Sequence, residues 1–104
     1  MFTLKQIMNG ATIKKDKVCN YKKGYQVSVE DLMTIPAYKV RKKALLNIIA
    51  SLKSNEYLGI WQDNKKVYID KSIRKLNKAD ALKIAQAKNQ LAIWDWGNKE
   101  CISL

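Results

Sequence analysis

Residues 57–70 read Tyr-Leu-Gly-Ile-Trp-Gln-Asp-Asn-Lys-Lys-Val-Tyr-Ile-Asp, and this stretch decides the fold. Tyr57–Trp61 and Val67–Asp70 are rich in β-branched and aromatic residues, which favour strands. Gln62–Lys65 between them carries the polar residues typical of a tight turn. The stretch therefore predicts a β-hairpin. Its apolar alternation predicts that four side chains face the core: Leu58, Ile60, Val67 and Ile69.

Upstream of the hairpin, the pattern predicts a strand and then a helix. Tyr25–Val29 alternates apolar and polar residues after Gly24, as a half-buried strand does. Pro36 suits the first turn of a helix, so we expect a helix from Ile35 or Pro36 to about Lys53. Its apolar stripe has helical spacing and consists of Leu45, Ile48, Ile49 and Leu52.

Downstream of the hairpin, a second helix and a last strand are expected. Asn77 is a good N-cap, with Asp80 at the third helical position, and the helix should end near Asn89. Leu91–Trp96 then predicts a strand, and Cys101 and Ile102 could form a short return.

The element order from Gly24 to Trp96 is strand, helix, strand, strand, helix, strand. This order predicts an α+β fold of the ferredoxin-like βαββαβ type, an antiparallel sheet with two helices on one face. Thr3 and Gln6 form a capping box, which predicts a short helix over residues 3–9 before a poorly alternating hairpin. We therefore expect one domain over residues 1–104, with an N-terminal helix and hairpin extension (1–23) added to an α+β core (24–104).

The sequence contains no histidine. This removes the commonest general base and metal ligand, together with every Ser-His or Cys-His nucleophile pair. The glycines are scattered singly, so no phosphate-binding loop is predicted. Asp70 and Asp95 could point outward from neighbouring strands as a pair, but solvated aspartates are the simpler interpretation. We expect no catalytic residue, no metal site and no cofactor.

Charge is the strongest compositional signal. Twenty basic residues against nine acidic ones give a net charge of +11, which favours polyanionic partners. Only Arg41 and Arg74 are arginines, although arginine is preferred for forked contacts with bases and phosphates. Heavy use of lysine is also typical of proteins from A+T-rich genomes, so the charge supports nucleic-acid contact without establishing it.

Two basic segments are candidates for binding. The first segment is Lys39, Arg41, Lys42 and Lys43, of which Lys39, Lys42 and Lys43 would share one face of the first long helix. The second segment is Lys65 and Lys66 at the hairpin tip, followed by Arg74 and Lys75. A solvated surface is the simpler interpretation of each segment, and a lysine-rich tip also protects an edge strand from aggregation.

Aromatic residues form a third candidate. If the second face of the sheet is open, four side chains could form a patch there, namely Trp61, Tyr68, Trp94 and Trp96. Such a patch could stack nucleic-acid bases or anchor a protein partner. The alternative is that the N-terminal extension covers it as a second small core.

The chain shows no sign of export. It has no apolar signal core, no run long enough to span a bilayer, and only Cys19 and Cys101 as cysteines. We therefore expect a cytoplasmic protein with two unpaired, semi-buried cysteines and no membrane partner.

Four stretches together resemble a pattern in a loosely defined family. They are Gly24–Ser28, Gly59–Trp61, Val67–Ser72 and Asn89–Asp95. The chain resembles, over roughly Gly24 to Asp95, small accessory proteins of bacteriophages and conjugative elements of low-G+C Gram-positive bacteria. The resemblance implies that this chain acts on a host protein, because such accessory proteins often bind and disable one.

Three functions follow as hypotheses. The first is stoichiometric inhibition of a host protein or nucleoprotein complex, such as CRISPR-type defence machinery, by a non-enzymatic phage or mobile-element protein in the host cytoplasm. The second is salt-sensitive DNA or RNA binding in phage replication or regulation. The third is binding or sequestration of a nucleotide in a basic pocket. A homodimer is compatible with each of them.

Overall fold

The computed structural model describes residues 2–104. In chain order the elements are α1 (Leu4–Ile7), β1 (Ala11–Lys14), β2 (Lys17–Val18), β3 (Tyr25–Pro36), a 3-10 turn (Ala37–Lys39), α2 (Lys42–Ala50), β4 (Tyr57–Asp63), β5 (Lys66–Lys75), α3 (Lys78–Ala87), β6 (Ala92–Asp95) and β7 (Glu100–Ser103).

The central hairpin is confirmed. β4 and β5 pair in continuous antiparallel register from Tyr57 opposite Ser72 to Asp63 opposite Lys66. Asn64 and Lys65 link the strands, with φ angles of 51° and 64°. Positive φ at both central residues matches the right-handed twist of the strands, which explains the tight turn. Leu58, Ile60, Val67 and Ile69 all lie in the main apolar cluster, as expected.

The ferredoxin-like prediction is wrong. Over residues 2–104 the sheet has seven strands in the order β2-β1-β4-β5-β3-β6-β7, every neighbouring pair is antiparallel, and the sheet curls into a half-barrel. The elements do alternate along the chain as the sequence indicates. The helices are too short for a continuous second layer, and their apolar residues divide into two separate clusters instead.

The N-terminal residues are part of the sheet rather than an addition to it. The capping box of Thr3 and Gln6 is present and begins α1. However, β1 pairs with β4, and the Ile13–Leu58 pair on these strands is completely buried. Phe2 and Ile7 are also buried in the main cluster. The helix and hairpin predicted for this segment are therefore present in the described residues, and the hairpin continues the sheet of the core at its β4 edge.

The boundary between β3 and α2 also differs from the prediction. β3 continues to Pro36 and pairs with nearly all of β5, so residues 35 and 36 are in a strand and not in a helix. Register shifts occur between Ser28 and Glu30 and between Asp31 and Met33. Each shift adds one residue to β3 and breaks its two-residue alternation, which hides the strand in the sequence.

The alternation along the strands gives the sheet two distinct faces. On one, the helix face, residues of α1 and α2 pack with Ile60 and Ile69, and residues of α3 pack with Val27 and Ile93. The opposite side, the second face, carries the alternate positions of β4 and β5, from Tyr57 and Ser72 to Trp61 and Tyr68.

None of the helices within residues 2–104 is long and apolar enough to cross a membrane.

Candidate functional site

Two aromatic side chains stack on the second face near the hairpin tip. Trp61 and Tyr68 are opposite each other on β4 and β5. Their ring centroids are 4.1 Å apart, and the rings are inclined by only 12°. Trp61 nevertheless remains 47% exposed. An exposed indole held flat by a neighbouring ring loses little conformational freedom when another planar group stacks on it.

The fold brings part of each predicted basic segment to this end of the sheet. The Ala37 amide donates to the Lys65 carbonyl at 2.9 Å, and Pro36 pairs with Lys66. The chain that carries Lys39 and Arg41 therefore leaves the sheet beside the hairpin turn. We call this combination of exposed aromatic and basic residues the hairpin-tip site. It consists of Tyr38, Lys39, Arg41, Trp61, Lys65, Lys66 and Tyr68.

The predicted basic helix face is not formed. Lys39 lies in the 3-10 turn, before α2 begins. Lys42 is half-buried, with its Nζ 5.3 Å from the centre of the Phe2 ring, so it covers part of the apolar cluster. Lys43 is exposed in the first turn of α2 and remains close in sequence to the hairpin-tip site.

The cations of the hairpin-tip site are not neutralised. In the described part of the chain, the ion pairs at contact distance are those of Lys71 with Glu30 and Glu56. Asp63 pairs with Lys66 in the hairpin register but makes no ion pair with it. In addition, Arg41 is the N-cap of α2, whose first turn contains no acidic residue. Cations at a helix N-terminus are electrostatically unfavourable, so their placement does not stabilise the helix.

Arg74 and Lys75 do not join the hairpin-tip site. They lie at the opposite end of β5, and at about 3.3 Å per residue Arg74 is roughly 26 Å from Lys66. The Arg74 guanidinium lies 3.9 Å from the centre of the Tyr21 ring and donates to the Lys23 carbonyl. Its role there is to fix the segment before β3.

The predicted aromatic patch divides into two parts. Trp94 and Trp96 contact each other edge to face at 6.2 Å, far along the sheet from the exposed stack. Trp96 is only 5% exposed, and Tyr21 packs on it at 5.4 Å. The N-terminal segment therefore covers this half of the patch, as the alternative interpretation expected, and leaves the Trp61–Tyr68 half open.

Hydrogen bonds hold the covered half together. The Trp96 indole N–H donates to Gln26 Oε1 at 3.0 Å, and Gln26 Nε2 donates to Ser72 Oγ at 2.9 Å. The hydroxyls of Tyr21 and Tyr57 are 2.8 Å apart. This hydrogen bond, with partial burial, raises the pKa of Tyr21. The polar groups of Tyr21, Tyr57 and Trp96 are already paired, so these three rings stabilise the fold and offer no open binding group.

Asp70 and Asp95 do not form a pair. Tyr25, the partner of Asp95 in the sheet, packs on the helix face, whereas Asp70 lies on the second face opposite Asp31. Asp95 accepts hydrogen bonds from the backbone of Gly97 and Asn98 and from the Asn98 side chain. Burial opposes the ionisation of Asp95, but these hydrogen bonds prevail and lower its pKa. Asp95 therefore closes the turn between β6 and β7.

Asp70 has no comparable support, and this should make stability depend on pH. Burial, followed by the nearby charge of Asp31, raises its pKa from 3.8 to about 6. Between these values the folded chain keeps a proton that the unfolded chain has released, so the free energy of unfolding falls as pH rises through this window. We expect Asp70→Asn to increase that free energy by about 1–2 kcal/mol at pH 8, after allowance for solvent screening, and to change nothing at pH 4.

Urea denaturation at the two pH values measures this difference. Asp16→Asn, in an exposed turn, is the matched control and should have no effect at either pH. A variant Asp70→Asn that is less stable than the parent at pH 8 would show that the carboxylate stabilises the fold instead.

Among residues 2–104, two shallow cavities lie at the β1–β2 hairpin, and the larger, of about 310 Å³, has Lys17 as the one cation of its lining. No group of three or more Cys, Asp or Glu residues suited to a metal ion occurs within residues 2–104. A basic cavity of about 260 Å³ lies at the β1–β2 hairpin, lined by Lys14, Lys15, Asp16, Lys17, Cys19 and Tyr21. It is below the roughly 300–1,000 Å³ of usual small-molecule pockets, so it gives little support to nucleotide sequestration.

Cys19 is half-buried and Cys101 exposed, and both are free thiols, so the expectation of a semi-buried Cys101 is wrong.

Two residues of interest were missed in the sequence. Tyr38 is 75% exposed beside the hairpin turn, with Lys39 Nζ 5.8 Å from its ring centre. The sequence predicts that Tyr38 lies inside a helix that begins at Ile35 or Pro36, so nothing in the pattern distinguishes it from the other helical residues. Gly59 lies opposite Asp70 and leaves room for its carboxylate. Only the strand register reveals that relationship, although a glycine inside a strand pattern is a general signal of close approach.

Comparison with known proteins gives no family assignment: no protein-family model, no curated protein and no solved structure matches this chain.

Proposed function

We propose that this protein binds single-stranded nucleic acid at the hairpin-tip site. The observation that carries the proposal is the exposed, parallel Trp61–Tyr68 stack flanked by unpaired cations from the hairpin turn and the 3-10 turn. Proteins that hold single strands combine stacking aromatics with a basic track for the backbone. Bases would stack on Trp61 and Tyr38, and phosphates would contact Lys39, Lys65 and Lys66.

Charge supports this choice over an uncharged or cationic partner. The net charge of +11 attracts a polyanion over the whole surface, and the site cations are free of carboxylate partners among the described residues. The amides at the N-terminus of α2 add positive potential beside Arg41. Recognition of a duplex would require a protein element that fits into one of its grooves. A flat, exposed aromatic ring is instead suited to stacking on unpaired bases.

The biological use that we propose is stoichiometric inhibition. The sequence resemblance motivates a role as a phage or mobile-element protein that disables a host nucleoprotein, such as CRISPR-type machinery, in the host cytoplasm. A strand exposed on that nucleoprotein would be the contact. The chain has no histidine for general base catalysis, which favours binding over turnover.

Truncation of the stacking ring tests the proposed site. Alanine substitution at a base-stacking aromatic typically costs about 1–3 kcal/mol, so Trp61→Ala should weaken binding of a fluorescein-labelled oligo(dT) by about 5- to 150-fold. Fluorescence anisotropy at low salt measures this change. Leu76→Ala is the control, since Leu76 is an exposed apolar residue beyond the far end of β5. Equal affinities of Trp61→Ala and the parent protein would contradict the proposal.

A further inference from the structure

The Asp70 carboxylate occupies an unusual place on the second face. It lies opposite Gly59 of β4, where a Cβ atom would come within 2.9 Å of Asp70 Cγ. The carboxylate therefore fills the space that a side chain at position 59 would otherwise take. Asp31 faces it from β3, on the other side. The acidic group is thus fixed across the sheet instead of extending into solvent.

Nothing in the described chain offers this carboxylate a donor. It accepts no side-chain hydrogen bond and forms no ion pair within residues 2–104. Lys14 and Arg74 on this face are engaged elsewhere, since Lys14 contacts the Ser54 carbonyl and the Tyr57 ring while Arg74 stacks on Tyr21. Lys66 lies four residues from Asp70 along β5, about 13 Å away, which is too far for a contact. With no donor from the described residues, this carboxylate can accept hydrogen bonds only from solvent or from a ligand that brings N–H groups.

The carboxylate also lies beside the stacked pair. Asp70 and Tyr68 are two residues apart on one face of β5, as Gly59 and Trp61 are on β4, a separation of about 7 Å along each strand. A planar group stacked on Trp61 would therefore turn one edge toward Asp70. Stacking would fix the plane of the ligand, and the carboxylate would select its edge.

Among the bases, guanine fits this arrangement best. Its N1–H and N2 amino groups are adjacent donors that a carboxylate can accept together. Adenine and cytosine place a ring acceptor beside their amino group, and thymine has one N–H between two carbonyls, so each would bring an acceptor against the carboxylate. We propose that Asp70 makes the hairpin-tip site selective for guanine, by accepting hydrogen bonds from N1–H and the N2 amino group of a base stacked on Trp61.

This inference rests on the proposed function. An arginine side chain of a protein partner also combines a flat face with paired donors. The charge of the chain argues against it, because an arginine would approach a surface of net charge +11 whose nearby cations have no carboxylate partners in the described chain. In nucleic acid, the phosphates would pair with the cations while the N–H groups of a base donate to the carboxylate.

Oligonucleotides that differ at one position test the selectivity. A labelled dT 9-mer would carry dG, dI, dA, dC or dT at its centre, and anisotropy would give each affinity. We expect dG to bind about tenfold tighter than dT, with inosine intermediate because it keeps N1–H but lacks the amino group. Asp70→Asn should abolish this preference and leave oligo(dT) binding unchanged or slightly stronger. Asp16→Asn, with the same change of charge, should keep the preference.

The outcomes separate the two proposals. If the parent protein binds no oligonucleotide at low salt, the proposed function fails, and the selectivity fails with it. If binding is salt-sensitive but dG and dT bind equally, or if Asp70→Asn keeps the preference, the guanine inference alone is overturned. A third outcome is that N-acetyl-arginine amide binds in a way that depends on Asp70 while the oligonucleotides show no base preference. That outcome would overturn the guanine inference in favour of a protein partner. Circular dichroism of each variant verifies that the fold is intact.

Discussion

Changing Lys39, Arg41, Lys65 and Lys66 together to glutamine should weaken binding to single-stranded DNA on the order of 100-fold at 50 mM salt. These four cations come from the 3-10 turn, the start of α2 and the hairpin turn, and the hydrogen bond from Ala37 to Lys65 brings those segments together. Removal of one phosphate-binding cation should reduce the slope of log K against log salt by about 0.7 for a single strand. Loss of the three phosphate contacts assigned to Lys39, Lys65 and Lys66 should therefore lower the slope by about 2.

The control removes the same charge from elsewhere on the surface. Lys17, Lys22, Lys83 and Lys88 are all exposed and lie outside the hairpin-tip site, on the β1–β2 hairpin, the segment before β3 and α3. Their joint change to glutamine lowers the net charge equally. It should reduce affinity less than tenfold and leave the salt slope nearly unchanged. Equal effects of the two quadruple variants would mean that only the overall charge matters and that no local site exists.

Replacement of Ile13 by alanine should lower the free energy of unfolding by about 2–5 kcal/mol, because Ile13 is completely buried and the neighbours on its sheet cannot close the cavity. Ile13 pairs with Leu58 of β4 and with Val18 of β2. If Ile13 belonged to an extension outside the core, the same substitution would lower the free energy of unfolding only slightly. The variant therefore discriminates between the seven-stranded sheet and a four-stranded core with an appendage.

Chemical denaturation of Ile13→Ala provides the measurement, and Val18→Ala is the matched control. Val18 is on the neighbouring strand but is 45% exposed, so its truncation should cost less than about 0.5 kcal/mol. A loss below about 1 kcal/mol in Ile13→Ala would contradict the role of β1 in the core.

The sequence predicts the local elements of this fold better than their assembly. The hairpin of residues 57–70 and the cap at Asn77, which accepts from the Asp80 amide, depend on near neighbours and are observed. The two irregularities in β3 shift its alternation twice, so residues 30–36 give no strand signal. The pairing of β1 with β4 joins residues more than forty positions apart, and its four-residue pattern is too short to identify a partner.

The same division applies to the candidate site. Lys65, Lys66 and the Trp61–Tyr68 pair belong to one hairpin, so their proximity follows from the local pattern. The approach of Lys39 to this tip depends on the length of β3, which the sequence conceals. The covering of Trp96 by Tyr21 depends on where the N-terminal segment packs. No local propensity encodes that contact.

Photochemical cross-linking of a strand containing 5-iodouracil tests the central claim, that nucleic acid lies on the Trp61–Tyr68 stack, most directly. The label reacts with aromatic side chains in contact with the base, and mass spectrometry of the digested adduct identifies the residue. We predict adducts at Trp61, Tyr68 or Tyr38, which are the aromatic rings of the hairpin-tip site. Adducts confined to Tyr21 or Trp94, or no adduct at any residue, would contradict the account.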